Sequence, residues 1–361
     1  MPKKKIAYIT NNIAPFRVML LDELAKHAEV TLFYVHEIEA GVKAEYVKLR
    51  PVRTNLQSIT ELGLFQTFQM LKEMDMVFFD GYTGWEKMFL MSGMWITGRQ
   101  YAISVDGIIN HSNISLKQRL LDLIKSVALR KAEFVLSTNT PTDTYIQQLA
   151  PKAKIKRHIF STLSQDDLKR IAVVDSDTIF DKYQIKKEEK NLLFVGKFVK
   201  EKGVSELLAF MKEQRAGTSI QLIMVGGTKE ELSIFETDIS SNIHIIPFLE
   251  KIDILELMRV VDVFVLPTYS DTWGLVIVEA LSAGIPIVST NRCNAALEFI
   301  KDGKNGYLMK ELNKEELTSK LNEALKLNFA QVALYDRKLM ENYHLEGAAK
   351  NIMDILEESH D

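Results

Sequence analysis

Short, almost continuous apolar runs recur along this chain, and helix-patterned segments lie between them. KIAYIT, VTLFYV, MVFFD, YAISVD and FVLST are such runs in the first half. After the first of them, Phe16 to Lys26 carries Val18, Leu20, Leu21, Leu24 and Ala25 at helical spacing. A strand that is apolar at every position is covered on both faces, and strands that alternate with helices pair in parallel. The pattern lapses in a polar, charged stretch around residues 161–190 and then restarts with LLFVG, IQLIMVGG, IHIIPF, VDVFVLPT and IPIVST. The expectation is an α/β chain of two Rossmann-like parallel-sheet domains facing across a cleft, one over residues 1–165 and one over 170–340. In such sheets ligands bind beyond the carboxyl ends of the strands.

A length of 361 residues with 47% apolar content suits two globular domains. The single cysteine, Cys293, excludes a disulfide framework and fits a reducing, cytoplasmic compartment. The opening MPKKKIAYIT is a basic run followed by a strand, with no signal-peptide pattern. Met88 to Thr97 is the most apolar candidate for a membrane anchor, but it is too short to cross a bilayer and reads as a buried helix. Charge is uneven: residues 1–165 hold 21 Lys+Arg against 15 Asp+Glu, a net +6, whereas the remainder holds 24 against 33, a net −9. A basic half is the kind that meets an anionic partner.

Three loops of the second half leave strand ends and enter helices. In LLFVGKFVKEKGVSELL, Gly196 ends the strand, Lys197 and Lys202 flank a turn and Gly203 precedes the helix. Two cations beside a helix N-terminus form an anion site; two solvated surface lysines are the alternative. In IQLIMVGGTKEEL, Gly226 and Gly227 end the strand and let backbone approach a ligand, or simply make a turn. The third loop is SDTWGLVIVEALSAGIPIV, Ser270 to Val288. Ser270, Asp271 and Thr272 are good N-cap residues, and Gly274 and Leu275 present free N–H groups at the helix start. Glu279 lies inside the helix, where its carboxylate can accept hydrogen bonds from a diol such as a ribose or, alternatively, pair with a basic neighbour.

Asp271-x7-Glu279, continuing Ala280-Leu281-Ser282-Ala283-Gly284-Ile285-Pro286, resembles the E-x7-E signature of glycosyltransferase family 4, the group 1 retaining GT-B glycosyltransferases. Glu298 to Gly306 resembles the next signature, and Gly196-Lys197 with Lys202-Gly203 resembles the family's phosphate loop. Together they cover most of residues 191–310. Ala14-Pro15-Phe16-Arg17 is similar to the opening of bacterial polysaccharide and lipid-linked-sugar members. The resemblance implies a donor site in the second domain. Lys197 and Lys202 would neutralise the diphosphate of a nucleotide-sugar, UDP- or GDP-linked. Gly196, Gly226, Gly227, Thr272, Trp273, Gly274 and Leu275 would line it. Glu279 would take the ribose, Asp271 the transferred sugar, and Phe248 and Leu249 the nucleobase. It also implies that a C-terminal helix over residues 343–361 crosses back onto the first domain through Ile352, Met353, Ile355 and Leu356.

The first domain departs from the family. The loop Asn11-Asn12-Ile13-Ala14-Pro15 has no glycine, and Asp106 stands where many members have a histidine. Asp106 is therefore the catalytic candidate here, His111 a bystander, and Asn12, Pro15, Arg17, Asp80 and Tyr82 the acceptor-side candidates. No metal site is legible, and no cofactor beyond the co-substrate is implied. The expected activity is sugar transfer with retention to a saccharide or lipid-linked acceptor in cell-surface glycan synthesis. An inactive GT-B binding subunit and a sugar-nucleotide epimerase are the alternatives. Nucleic acid is not an expected partner. A peripheral place at the inner face of the cell membrane is suggested by the basic sets Lys117, Arg119, Lys125, Arg130, Lys131 and Lys152, Lys154, Lys156, Arg157.

Overall fold

The computed structural model describes residues 3–37, 50–107, 116–214, 219–236 and 239–358, with the backbone alone for 116–120. His111 and the side chains of Lys117 and Arg119 fall outside the described residues. The chain divides into two compact units. One comprises the residues up to Thr162 together with those from Tyr343 onward, and the other runs Leu163–Asn342.

Unit 1 holds β1 (Lys5–Asn12), β2 (Glu29–His36), β3 (Asn55–Ser58), β4 (Met76–Asp80), β5 (Ala102–Val105), β6 (Val135–Ser137) and β7 (Ile155–Arg157). They pair in the order β3-β2-β1-β4-β5-β6-β7, every pair parallel. Unit 2 holds β8 (Lys190–Val195), β9 (Ile220–Val225), β10 (Ile243–Ile246), β11 (Val263–Leu266), β12 (Ile287–Thr290) and β13 (Gly306–Met309), in the order β10-β9-β8-β11-β12-β13, again all parallel. Each sheet starts in its middle, winds outward to one edge, and then crosses to wind the other way. The switch points lie between β1 and β4 and between β8 and β11, where helices diverge and a crevice opens.

The apolar strands are buried on both faces, as their composition demands. Ile6, Tyr8, Leu32 and Phe78 pack into one layer with the helix Pro15–Leu24 and the C-terminal helix Leu345–Glu358. Ala7, Ile9, Phe33, Phe79 and Ile103 pack into the opposite layer. The C-terminal helix contributes Ile352, Ile355 and Leu356 to the first layer, with Met353 at its margin.

Three strands escape the apolar pattern. β3 (NLQS) and β7 (IKR) are short and polar, and β13 (GYLM) follows a turn-rich loop. The polar stretch 161–190 is not a bare linker. It forms helices Gln165–Ile171 and Ser176–Tyr183, which bury Ile171 and Ile179. Asp167 pairs with Lys251 at 2.6 Å, Arg170 with Glu256 at 3.0 Å and Lys182 with Asp253 at 2.7 Å, so the stretch is tied to unit 2.

Unit 2 also buries an acid. Asp336 is wholly enclosed and accepts one hydrogen bond from Asn305 Nδ2 at 2.8 Å, while its Oδ2 has no partner. Asn305 holds the turn before β13 by donating to Phe299 O and accepting from Lys301 N. Burial, opposed only by that one hydrogen bond, pushes the Asp336 carboxyl up to about 7. A carboxyl that binds its proton more tightly when folded stabilises the fold below the unfolded value near 4, and the benefit is lost as pH rises through 7. Asp336→Asn is therefore expected to be more stable than the parent at pH 8, by no more than about 4 kcal/mol. The difference should vanish towards pH 4, as read by urea denaturation across that range.

Candidate active site

In unit 1 the carboxyl ends of β1, β4, β5, β6 and β7 converge on one buried guanidinium. Pro15 opens the helix Pro15–Leu24, where a fixed φ and a missing N–H carry no penalty. Two residues on, Arg17 falls on the helix face that also buries Val18, Leu21 and Leu24, and it is 0% exposed. Nη2 pairs with Asp80 Oδ1 at 3.0 Å and Asp106 Oδ2 at 2.5 Å, and Nη1 donates to Tyr8 Oη at 2.9 Å. The guanidinium also lies 4.7 Å from the centre of the Tyr8 ring. Thr10 Oγ1 donates to Asp80 at 3.1 Å, and Ser104 Oγ to Asp106 at 3.1 Å. Lys87, itself buried, donates to the Asp80 carbonyl, and Thr138 Oγ1 donates to the Asp106 carbonyl at 2.6 Å.

The two carboxylates differ. For Asp106, burial raises the pKa, but Arg17 and then the neighbouring His158 outweigh it and hold the carboxyl down at about 2. For Asp80, burial and the charge of Asp106 outweigh Arg17 and push the carboxyl up. One arginine cannot fully neutralise two acids, so Asp106 is the fixed negative charge and Asp80 takes a proton more readily. Both side chains remain partly exposed, and either can accept a hydrogen bond from a hydroxyl.

In unit 2 the strand-end loops are drawn together by glycines. Gly203 (φ +73°) lies so close to the end of β11 that a Cβ would fall 1.8 Å from Pro267 O. Gly226 (φ +110°) would place a Cβ 2.8 Å from Gly196 O, and Gly274 (φ +90°) one 2.5 Å from Cys293 Sγ. The loop after β8 thus rests on those after β9 and β11, and the loop after β11 rests on that after β12. Backbone bonds fix the joins: Tyr269 N to Glu201 O at 2.8 Å, and Asp271 N to Arg292 O at 3.0 Å. Cys293 is sealed inside, and burial, then Asp271, pushes its thiol up to about 12.

This packing sets Lys202 Nζ 2.6 Å from Asp271 Oδ2, directly ahead of the helix Leu275–Ala283. Asp271 does not cap that helix. Its Oδ1 accepts from Trp273 N at 3.3 Å, and the N-cap is Gly274, with no side-chain bond to the first turn. The amides of the helix start are thus not capped by a side chain, as an anion site requires.

The remaining candidates distribute as follows. Lys197, Phe248 and Thr272 are exposed, and Glu279, Leu249, Leu275, Asn12, Pro15 and Tyr82 are half-buried. Two calls change. The Trp273 side chain is only 3% exposed and meets Phe299 edge-on at 5.9 Å, so it supports the loop from beneath and cannot face a ligand. Arg17 is wholly enclosed and paired with Asp80 and Asp106, so it cannot touch a ligand and only positions the two carboxylates. His158 escaped sequence reasoning altogether. It follows the three-residue polar β7, is wholly buried, and lies 3.7 Å from Asp106 Oδ1, with no hydrogen-bond partner on either ring nitrogen. Nothing in Ile155-Lys156-Arg157-His158 marks a site; only the sheet order brings it beside β6.

Removing the arginine would leave two half-buried acids without the cation they share. Arg17→Met is expected to lose about 3–5 kcal/mol of stability, the range for breaking a buried ion pair. Adding Asp80→Asn should restore part of it, measured by urea unfolding at neutral pH.

Residues 175–343 match the family described as glycosyl transferases group 1. WaaG of Escherichia coli, a lipopolysaccharide glucosyltransferase, is 31% identical over 180 residues, covering 46% of this chain and 47% of that protein. CapM of Staphylococcus aureus, a capsular polysaccharide biosynthesis glycosyltransferase, is 24% identical over 157 residues, covering 42% and 41%. The chain therefore spans a little under half the length of these curated relatives. Among solved structures, a glycosyltransferase from Rickettsia africae superposes with a TM-score of 0.75 at 15% identity, covering 100% of both chains. HepE from Anabaena, in complex with UDP-glucose, superposes with a TM-score of 0.71 at 15% identity, covering 98% of this chain and 99% of that one. These likenesses give the fold as GT-B. Residues 175–343, nearly the whole of its second unit, are similar to the group 1 glycosyl transferases.

Proposed function

We propose that the protein is a retaining glycosyltransferase that moves a sugar from a nucleotide-sugar to a saccharide or lipid-linked acceptor in cell-surface glycan synthesis. The observation that carries this reading is the placement of Lys202 against Asp271 in front of an uncapped helix start. That arrangement suits a diphosphate bonded to sugar. Lys202, with Lys197 from the same loop, supplies positive charge to the leaving phosphate, and the amides at Gly274 and Leu275 supply hydrogen bonds. Asp271, already beside that charge, lies where the sugar attached to the phosphate would be. Glu279, one turn into the helix, takes the ribose, and the exposed Phe248 offers a face to the base. The diphosphate's charge is met by side chains and amides, so the reading calls for no metal. UDP is the first nucleotide to try, because HepE is described with UDP-glucose.

On the acceptor side, Asp106 and Asp80 hold hydroxyls at the end of β4 and β5. The departing phosphate oxygen takes the proton of the attacking hydroxyl, and the new bond forms on the face the phosphate leaves, which retains the anomeric configuration. Among the described residues no helix is long and apolar enough to cross a membrane, and the reading places the protein peripherally at the inner face of the cell membrane.

Titration calorimetry with UDP separates the two partners of the ion pair. Lys202→Ala should weaken binding by ten- to a hundredfold, the worth of a charge-assisted bond. Asp271→Asn, which frees the same ammonium, should bind UDP as tightly as the parent or more so, yet lose sugar transfer. UDP affinity indifferent to Lys202 would overturn the donor site. Assaying a nucleotide-sugar panel, with the product anomer read by NMR, tests transfer and retention.

A further inference from the structure

The helix Trp85–Ile96 (WEKMFLMSGMWI) is apolar almost all round, yet only one side of it is covered. Gly93 presses that side onto the helix Leu64–Leu71, where a Cβ would fall 2.9 Å from the Phe68 ring, and Leu90, Met91 and Met94 are buried. The opposite side leaves Trp85 67% and Ile96 78% exposed, along with Phe89 and Trp95. The expectation of a buried helix thus holds for one side only. Beside it the helix Leu116–Lys131 exposes Leu121, Leu123, Ile124 and Val127. Between the two helices runs a groove of about 270 Å³. Met91 and Trp95 form one wall, Leu123, Ile124 and Val127 the other, and Tyr82 and Lys131 also line it.

We propose that this groove seats one hydrocarbon chain of an anionic membrane lipid, with the surrounding aromatic residues and lysines at the bilayer interface. Exposed apolar surface so concentrated marks a contact site. Its volume lies just below the range of about 300–1,000 Å³ typical of compact small-molecule sites, which favours a thin chain. The charges around it choose the partner. Lys131 Nζ lies 4.8 Å from the Trp95 ring centre, Lys125 Nζ lies 5.4 Å from that of Tyr82, and Arg130 is exposed next to Lys131. Asp122, paired with Lys125 at 3.2 Å, is the one acid among the described side chains of that helix. Tryptophan with lysine at the rim of an apolar face is the composition of a membrane–water boundary. A two-fold contact with a second copy would instead set these cations against their own equivalents. Because Tyr82 stands two residues beyond Asp80, a chain in the groove also leaves its headgroup near the end of β4. The proposal adds a partner to the peripheral placement above and rests on unit 1 alone, so it stands or falls apart from sugar transfer.

The test uses the full chain and vesicles of phosphatidylcholine, with or without phosphatidylglycerol, whose acyl chains are brominated near the glycerol. Bromine quenches tryptophan on contact, and of the three tryptophans only the enclosed Trp273 lies outside the patch. Emission should fall with the anionic vesicles and several-fold less with phosphatidylcholine alone. Arg130→Gln and Lys131→Gln should each raise the lipid needed by about fivefold. Leu123→Glu, an exposed position that does not support the fold, should abolish quenching with an unchanged far-UV spectrum. Emission unaffected by brominated anionic vesicles would overturn the proposal, as would equal quenching of the Leu123→Glu protein. So would a sedimentation profile in which the parent is a dimer and that variant a monomer.

Discussion

A parallel strand cannot turn directly into its neighbour; it must cross back over the sheet first, and the crossover is right-handed. That requirement sends every strand of one sheet in the same direction. All the loops that leave carboxyl ends then gather on one edge, and the residues just past Thr10, Phe79, Val105, Ser137 and Arg157 become neighbours in unit 1 although they are spread across most of its sequence. The same holds in unit 2 for the loops after β8, β9, β11 and β12. The candidate site residues sit on those two edges because the backbone leaves nowhere else for so many loops to meet.

Given one architecture used twice, the edges differ in what holds them. In unit 1 the fastening is electrostatic: a single guanidinium beneath two carboxylates, with hydroxyls from Thr10 and Ser104 and a ring from His158 at its margin. In unit 2 it is steric. Gly203 and Gly226 each let a neighbouring backbone lie where a side chain would otherwise stand, Gly274 leaves that room to the Cys293 thiol, and each adopts a positive φ that other residues resist. Steric fastening does not depend on the charges of the edge, whereas electrostatic fastening does.

Much of this was legible in the sequence, for identifiable reasons. Apolar runs such as MVFFD and IQLIMV announce buried parallel strands because burial on both faces permits little else. The glycines and Lys202 could be read because a turn that admits only glycine leaves a mark at one position. β3, β7 and β13 were not legible: edge strands need no long apolar run, NLQS and IKR carry none, and that of GYLM is only three residues. Asp271 was legible as a polar residue before a helix but not as the partner of Lys202, since the two are 69 residues apart. Arg17 read as an acceptor-side candidate, and its burial was not legible because arginine is rarely buried. Its enclosure depends on two acids that arrive from strands far along the chain. His158 has the same cause. Local pattern names the elements, and only the order of strands says which of their ends touch.

The asymmetry between the edges bears on which molecule each can receive. A phosphate approaching unit 1 would meet Asp80 and Asp106 before it met Arg17, whose guanidinium is wholly enclosed. That edge repels anions and suits neutral hydroxyls. At unit 2 an incoming anion competes with Asp271 for an ammonium that is itself partly open to solvent. Under the proposed donor-site reading the ion pair is a placeholder: it keeps Lys202 oriented, and an arriving diphosphate need only share the cation. Aspartate in place of the longer glutamate tightens that hold, because the shorter side chain keeps its carboxylate close to the backbone that Arg292 and Trp273 pin. The aspartate that stands where the family has glutamate is thus also the residue that orients Lys202.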